Sequence, residues 1–271
     1  MKTGLARLVR QVELAHEGAQ SVEALARLVR SALQEHISDP GFILDCLERI
    51  LLSPALENPS LPWDNPPIHA DGWRNYKFRV FFWRPGYVNS PHRHNTWSVT
   101  GVLHEQCSVL IYRAVDESLP DSPRLVVDRQ LTARAGEVGY LLPGCTHSVG
   151  NPGDTISATF HVFSDSAEVQ RRRRDTIWYP NAEGALMDRP GFENHRFRTL
   201  RGAVAMLAGI SDPRSMPLLE RLLSLGGPRI KLACIRAMAA RDPRGTASRY
   251  ETFRSLLPPS AHEALDAAFA G

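Results

Sequence analysis

Cysteine is scarce in this sequence: there are four in 271 residues, and none stands in a CxxC pair. This spacing argues against a zinc knuckle and gives no disulfide framework, so a reduced, cytoplasmic protein is expected. Basic and acidic residues are also nearly balanced, so that the formal net charge is only +3. So small and scattered an excess argues against a nucleic-acid partner.

Long apolar runs are also missing. No segment approaches the roughly 20 apolar residues that span a membrane, so no membrane partner is expected. Residues 1–20 have the pattern of a charged amphipathic helix without the continuous apolar stretch of a secretory signal. What is present is an ordinary globular composition, 43% hydrophobic and 23% charged, which is enough for a packed core.

The first region of the chain, residues 1–56, has a helical pattern. The hexapeptide LARLVR occurs at 5–10 and again at 25–30, with apolar residues at helical spacing. We interpret the two copies as two similar amphipathic helices. The proline-rich stretch at 53–72 then interrupts the periodicity and is typical of a linker.

The pattern changes to β-type from Tyr76 to about Phe163. Six short runs separated by turn residues predict an antiparallel sandwich or barrel. The runs are residues 76–83, 97–103, 108–115, 124–131, 137–143 and 156–164. The predicted fold class is therefore mainly β, with a barrel domain over residues 57–170 and helical segments on both sides.

The rest of the chain comprises a connecting segment, residues 171–194, and a helical region, residues 195–271. Residues 203–223 and 233–253 align with a 30-residue offset, each with an Ala-rich helix, Asp-Pro-Arg and a second helix. This pattern resembles HEAT-like repeats, and two units are fewer than such arrays usually need to stand alone. The repeat is therefore predicted to pack on the barrel, on a second copy of the chain or on a protein of the same pathway.

Three histidines in the β region give the clearest chemical signal. His92 and His94 are two residues apart in a strand, so their side chains point to the same face. His147 lies some fifty residues later in the stretch PGCTHSVGN. Neutral imidazole is the commonest metal ligand, and two rings on one wall with a third opposite form a facial site. The residues alone leave iron, nickel, zinc and manganese open.

The residues around this triad resemble the two motifs of the cupin superfamily. Gly86, five intervening residues and His92-Arg-His94 match the first motif. The second motif is matched by PGCTH, ending at His147, with Asn151 four residues further on. The resemblance implies a jelly-roll barrel with a bound metal.

Over about residues 65–170, the stretches SPHRHNTWSVTGVL and PGCTHSVGNPGDTISATFHVFS resemble thiol dioxygenases of the cysteine dioxygenase type. The resemblance implies Fe(II) as cofactor, with His92, His94 and His147 as its ligands. It also implies O2 and a small thiol as substrates, and oxidation of the thiol to a sulfinate.

The sequence departs from the general cupin pattern after the second histidine. Most cupins have a glutamate four or five residues later, where this chain has Ser98 and Val99. The nearest acid, Glu105, lies further along and follows a turn-like Gly101. Three neutral histidines are therefore expected to leave the metal its full double charge, and a coordinated thiol would be deprotonated.

The family's outer Ser-x-His-x-Tyr segment is also altered. Its counterpart here is Thr159, His161 and Phe163, which share one face of a strand by alternation. Thr159 and His161 keep hydrogen-bonding capacity and are predicted as catalytic groups that form a proton relay or hold the substrate. Phe163 has no phenol, so no cysteine–tyrosine crosslink can form there, and it is assigned to the substrate pocket.

The arginine with which cysteine dioxygenases hold the substrate carboxylate has no counterpart in the segment NPPIHADG. Arg79 is predicted to take its place, with Arg84 and His69 as alternatives. Trp97, three residues after His94, is predicted to line the pocket. The substrate is then cysteine or a related small thiol.

Two other functions stay open at the level of sequence. One is another metal-dependent cupin reaction, such as oxidative cleavage, rearrangement or isomerisation. The other is a non-catalytic cupin that binds a metal or ligand as a scaffold, with the helical repeat as its working surface.

Overall fold

The structure is a computed structural model, and it describes residues 3–58, 65–116, 124–164, 176–179 and 195–269. The chain divides into two compact units, the first with residues 1–43 and 65–193, the second with residues 44–64 and 194–271. Residues 1–43 group with the strands of the first unit, whereas residues 44–64 group with the C-terminal region in the second. The predicted boundaries at residues 56, 170 and 194 stay a prediction. Most of the predicted connecting segment, including its four successive arginines at residues 171–174, lies outside the described residues.

Helices outweigh strands among the described residues, of which 47% are helical and 27% lie in strands. The prediction of a β domain with flanking helices is therefore confirmed in part. The term mainly β suits the sheets of the first unit, but it does not suit the described residues taken together.

The N-terminal region forms the helices that its periodicity predicts. They are α1 Gly4–Gly18, α2 Val22–Gln34, α3 Pro40–Leu51 and α4 Pro54–Glu57, and the boundary between the units falls within α3. The side chains of Thr3 and Ser21 accept hydrogen bonds from the backbone N–H three residues later, which caps α1 and α2. The two LARLVR copies lie in these two amphipathic helices, as predicted.

Among the described residues, ten strands form two antiparallel sheets in the first unit. They are β1 His69–Asp71, β2 Tyr76–Trp83, β3 His92–His94, β4 Ser98–His104, β5 Gln106–Asp116, β6 Arg124–Arg134, β7 Val138–Leu141, β8 Thr146–Gly150, β9 Ser157–Ser164 and β10 Thr176–Trp178. The first sheet has the order β1-β2-β9-β4-β7 and the second β10-β3-β8-β5-β6. All six predicted runs are strands, and their antiparallel pairing in two sheets agrees with the predicted antiparallel architecture.

The first sheet has two chemically different faces. On the face that we call outer, Phe78 and Phe160 lie 5.3 Å apart between ring centroids, and Phe42 of α3 packs 5.2 Å from Phe160. On the opposite, inner face, cross-strand neighbours of β2 and β9 include the pair Phe81 and Thr159. The outer face thus packs under the N-terminal helices, which leaves the inner face for the site.

Gly101 lies in the middle of β4 and not in a turn, which corrects the sequence-based expectation. It is opposite Phe160 on the outer face, where a Cβ would come within 2.6 Å of Ile37 Cδ1 and 3.2 Å of Leu33 Cδ2. Glycine is needed here because α2 packs directly against the strand. The turn is made instead by Glu105, whose φ of 59° lets β4 reverse into β5.

The second unit is helical over its described C-terminal part. Its helices there are α5 His195–Gly209, α6 Ser215–Leu225, α7 Pro228–Arg241, α8 Pro243–Ala247, α9 Tyr250–Ser255 and α10 His262–Phe269, with a 3-10 turn at Pro259–Ala261. The first Asp-Pro-Arg lies between α5 and α6, as predicted. In the second copy only Asp242 lies between two helices, because Pro243 and Arg244 begin α8, and the helix that follows is split into α8 and α9. The HEAT class and the partner of this unit remain predictions.

Two findings bear on the compartment expected from composition. All four cysteines are free thiols, and three of them are buried. Among the described residues, no helix is long and apolar enough to cross a bilayer.

Replacing Gly101 with alanine tests the packing of α2 on the sheet. We expect a loss of about 1–3 kcal/mol in the free energy of unfolding, because the new methyl group overlaps the buried Ile37 side chain. Chemical denaturation measures this loss. Gly139→Ala in β7 is the matched control, since a Cβ there meets nothing within 4 Å. Equal stability of the two variants would contradict the close packing.

Candidate metal centre

The three predicted ligands converge because of the register of two short strands. β3 and β8 pair antiparallel with His92 directly opposite His147, and His94 lies two residues along β3 on the same face. Their ring centroids are 4.3 Å apart for His92 and His147, and 5.4 Å apart for His94 and His147. One potential ligand atom from each ring lies within 4.8 Å of the other two.

Backbone carbonyls orient two of the rings. Nδ1 of His92 lies 2.9 Å from the carbonyl oxygen of Ser90, and Nδ1 of His147 lies 3.0 Å from that of Cys145. A carbonyl only accepts, so each Nδ1 carries the proton and donates it, which leaves the Nε2 lone pair for a metal. Such support of the second ring nitrogen is the usual arrangement around ligating histidines.

Burial keeps these rings neutral. It lowers the pKa of His92 to about 2, with the neighbouring His147 and His94 adding to the effect. Burial likewise lowers the pKa of His147, against an opposing hydrogen bond to the Cys145 carbonyl. The uncharged form is the one that ligates, so the rings are ready for a cation across the physiological pH range.

The candidate ligand set contains no carboxylate among the described residues. Ser98 and Val99 occupy the place of the general cupin glutamate, as the sequence indicates. Glu105 is in the turn after β4, where its carboxylate lies 4.0 Å from His104. A divalent ion held by three neutral imidazoles keeps its double charge, and this favours anionic ligands at its remaining positions.

Behind the three histidines, a chain of hydrogen bonds runs across three strands of the first sheet. Trp83 Nε1 donates to Thr159 Oγ1 at 2.7 Å, and Thr159 Oγ1 lies 2.7 Å from His161 Nε2. His161 Nδ1 lies 2.9 Å from Thr100 Oγ1. Both nitrogens of His161 therefore have hydroxyl partners, so the ring belongs to an outer network and not to the ligand set.

The direction of this chain follows from the donor at its start. An indole N–H can only donate, so Thr159 accepts from Trp83. Thr159 is fully buried, and its own hydroxyl proton is satisfied by donation to His161 Nε2. His161 then carries its proton on Nδ1 and donates to Thr100. Burial lowers the pKa of His161 to about 3, which keeps the ring neutral.

Aromatic rings connect this network to the candidate ligands. Phe163 stacks on His161 with centroids 5.1 Å apart and also lies 6.0 Å from His94. Phe81 meets the ring of His161 edge-on at 4.9 Å. Phe163 thus lies beside both His161 and His94, and its assignment to a substrate pocket stays a prediction.

The predicted substrate residues differ in their placement. Arg79 is the direct cross-strand neighbour of His161, so it lies on the inner face. Trp97 is not brought to the three histidines: it is buried, and its ring lies 6.1 Å from His16 of α1. Its place in the pocket is corrected, because it packs against the N-terminal helix. His69 lies 5.1 Å from Phe78 of the outer face, and Arg84 lies over the Tyr87 ring.

Sequence reasoning missed three inner-face residues, Phe81, Trp83 and Thr100. Strand alternation contains the signal for each of them. Phe81 and Trp83 follow Arg79 at two-residue intervals, and Thr100 follows Ser98 in the same way. The sequence contains no signal for the carbonyl groups of Ser90 and Cys145 as hydrogen-bond acceptors, because every residue has a backbone carbonyl whatever its side chain.

Comparisons with known proteins give little beyond this geometry. Neither protein-family models nor curated proteins match the chain. Similar solved structures include an oxalate oxidase (20% identity, 38% of this chain and 46% of that chain, TM-score 0.29). Another is a Cupin 2 conserved barrel domain protein from Salinispora arenicola (23% identity, 41% of this chain and 76% of that chain, TM-score 0.27). A third is a protein from Thermus thermophilus (14% identity, 40% of this chain and 88% of that chain, TM-score 0.30). The chain spans less than half the length of the oxalate oxidase, and likenesses this weak carry no functional inference.

Metal retention tests the triad directly. After loading with a divalent transition metal and dialysis, we expect about one ion per chain in the unaltered protein, as for a facial three-histidine site. His92→Ala, His94→Ala and His147→Ala should each lose most of it, as measured by elemental analysis. His104→Ala is the control, because His104 lies outside the group. Full retention by His147→Ala would show that the two strands do not share an ion.

Acidification tests the buried, neutral His161. Its pKa is about 3 in the folded protein and about 6.5 when unfolded, so the unfolded state takes up a proton first as pH falls below 6.5. Metal-free protein should therefore lose stability between pH 6.5 and 3, with His161 contributing a slope approaching about 1.4 kcal/mol per pH unit. Denaturation at several pH values should give His161→Gln a shallower slope. Identical slopes would contradict a neutral His161.

Proposed function

We propose that this protein is a non-haem Fe(II)-dependent oxygenase that uses O2 to oxidise the sulfur of a small thiol to a sulfinate. The observation that carries the proposal is the convergence of three histidines, two of them buried, in a group that contains no carboxylate among the described residues. The motif resemblance to thiol dioxygenases supports the same chemistry. Both oxygen atoms of O2 enter the product, and the thiol proton is released.

His92, His94 and His147 fit the metal that this function requires. All three offer imidazole nitrogen, a donor that iron accepts, and the carbonyl-bound Nδ1 atoms of His92 and His147 direct Nε2 toward the shared centre. When bound there, Fe(II) supplies the redox chemistry that allows O2 to react with a thiolate. The neutral ligand set favours the thiolate over the thiol, because it leaves the positive charge of the centre uncompensated.

Thr159 and His161 have the role of holding and moving the proton that the thiol releases. Their hydrogen bonds form one directed chain that starts at Trp83 and ends at Thr100. Thr100 is only half-buried, whereas Thr159 is fully buried, so Thr100 is the end of the chain open to its surroundings. The aromatic rings of Phe81 and Phe163 pack beside this chain, against the ring of His161.

Phe163 forms part of the substrate pocket in this proposal. It stacks almost parallel to His161, at 8°, and its ring also lies beside His94. A phenyl ring offers contact surface without a hydrogen bond, so Phe163 shapes the pocket and takes no part in proton transfer.

Oxygen uptake with a panel of thiols tests this function. We expect anaerobically purified, Fe(II)-loaded protein to consume one O2 per thiol, and the product mass to rise by two oxygen atoms. Cysteine, cysteamine, 3-mercaptopropionate and mercaptosuccinate form the panel. His94→Ala should lose turnover by at least about a hundredfold while keeping its fold, because the site lacks one ligand.

Two results would overturn the proposal. Oxygen uptake with none of the thiols, in protein shown to hold one ion per chain, would favour another metal-dependent reaction. Equal activity of the unaltered protein and His94→Ala would mean that oxidation does not depend on this site.

A further inference from the structure

A separate row of polar side chains lies on the face of the second sheet turned away from the three histidines, which we call the back face. His92 and His94 share one face of β3, so Arg93 between them points to the opposite one. Arg93 is directly opposite Thr146 of β8, and Thr146 is directly opposite Tyr112 of β5. The three side chains therefore form a row across adjacent strands, at steps of about 5 Å.

The guanidinium of Arg93 is held in place without being neutralised. Its Cζ lies 6.0 Å from the ring centroid of Tyr179, which is buried and whose backbone N–H donates to the carbonyl of Pro91. Its Nε is buried and has no hydrogen-bond partner among the residues that the structure describes. On the back face, β3, β8 and residues 108–112 of β5 carry no acidic residue. A guanidinium stays protonated in proteins, so this charge has no counter-charge on these strands.

A hydroxyl on the same face also lacks a partner. Ser148 follows Thr146 by two residues on β8 and is 1% exposed, and its Oγ has no hydrogen-bond partner within the described part of the chain. Its position in the register is diagonal to Arg93. Two buried polar groups without partners cost free energy, and a bound ion near them accounts for both. Arg93, Thr146 and Tyr112 are only half-buried, so solvent reaches the row.

We propose that the back face of the second sheet holds a phosphate-binding site centred on Arg93, with the hydroxyls of Thr146 and Tyr112 as further donors. The planar guanidinium binds two oxygens of an oxyanion side by side. A phosphate group has further oxygens for the hydroxyls of the row, whereas both oxygens of a carboxylate are already used by the guanidinium. Free phosphate and the phosphate group of an ester share this chemistry.

This site is separate from the candidate metal centre. The side chains of His92, His94 and His147 point to the other face of the sheet, and no residue of the row belongs to the candidate ligand set. The phosphate site therefore does not depend on the proposed oxygenase activity.

Binding of inorganic phosphate to the full-length protein tests the site. We expect isothermal titration calorimetry to show a single class of saturable binding, with metal removed beforehand so that phosphate has no ion to coordinate. Arg93→Gln should weaken this binding about ten- to a hundredfold, the range expected for hydrogen bonds to a charged group. Arg93→Lys should retain part of the affinity because it keeps the charge. Acetate should bind the unaltered protein more weakly than phosphate.

Arg113→Gln is the matched control, because Arg113 is an exposed arginine of β5 whose side chain lies 3.8 Å from Asp128. This variant should bind phosphate as tightly as the unaltered protein. Circular dichroism establishes that Arg93→Gln is folded. Tyr112→Phe provides a second reading if it is not: it removes one hydroxyl and keeps the ring, so it should weaken binding by about three- to tenfold.

Two results overturn the site, and one overturns its ligand. Absence of saturable phosphate binding by the unaltered protein, or equal affinity in folded Arg93→Gln, means that the back face holds no such site. Acetate that binds as tightly as phosphate overturns phosphate as the ligand class.

Phenyl phosphate distinguishes the two sources of the group. Tighter binding of this ester than of inorganic phosphate, lost in Arg93→Gln, supports a site for a phosphorylated molecule, and weaker or equal binding supports a site for the free ion. None of these measurements involves oxygen uptake, so failure of the phosphate site and failure of the proposed oxygenase are distinguishable.

Discussion

The site depends on one backbone constraint, the antiparallel pairing of β3 with β8 that sets His92 opposite His147. The same type of hydrogen bond then orients one histidine ring on each strand. In each, Nδ1 of the histidine bonds to the carbonyl oxygen of the residue two positions earlier, Ser90 or Cys145. The rings are therefore oriented by their own strands before any metal binds. A slip of one residue in this pairing would turn the rings to the opposite face and dismantle the group.

The first sheet supports this arrangement by giving its two faces different tasks. Its outer side is apolar and packs under the N-terminal helices, closely enough that Gly101 leaves no room for a Cβ beside Ile37. Its inner side carries the hydrogen-bonded chain through Thr159 and His161. Successive residues of β4 belong to the two faces: Thr100 bonds to His161 on the inner face, and Gly101 lies against Ile37 on the outer face. The packing of α2 and the position of the hydrogen-bonded chain therefore depend on the same strand. The helices α1 and α2 are for this reason part of the same compact unit as the strands.

Much of this could be predicted from local patterns, and the failures have physical causes. Alternation identified six strands, and the motif spacing identified His92, His94 and His147, because both signals are periodic or local. The turn assigned to Gly101 was wrong, since a glycine required by a neighbouring helix looks the same in sequence as one required by a turn. Trp97 was misplaced for a related reason: it immediately precedes β4, and one residue of shift decides between the two faces. The unit boundary within α3 had no signal, because the helical pattern of residues 40–51 continues across it without a break.

Burial affects an imidazole and a metal ion in different ways. A buried imidazole remains uncharged here because desolvation disfavours its charged form, and at His161 the neighbouring His94 and His147 add to this effect. A metal ion cannot lose its charge in this way, so its double charge would have to be balanced by its surroundings. Among the described residues, the inward positions of β2, β3, β4, β8 and β9 carry no carboxylate that could do this. In the proposed function, the thiolate that would bind the ion supplies this negative charge.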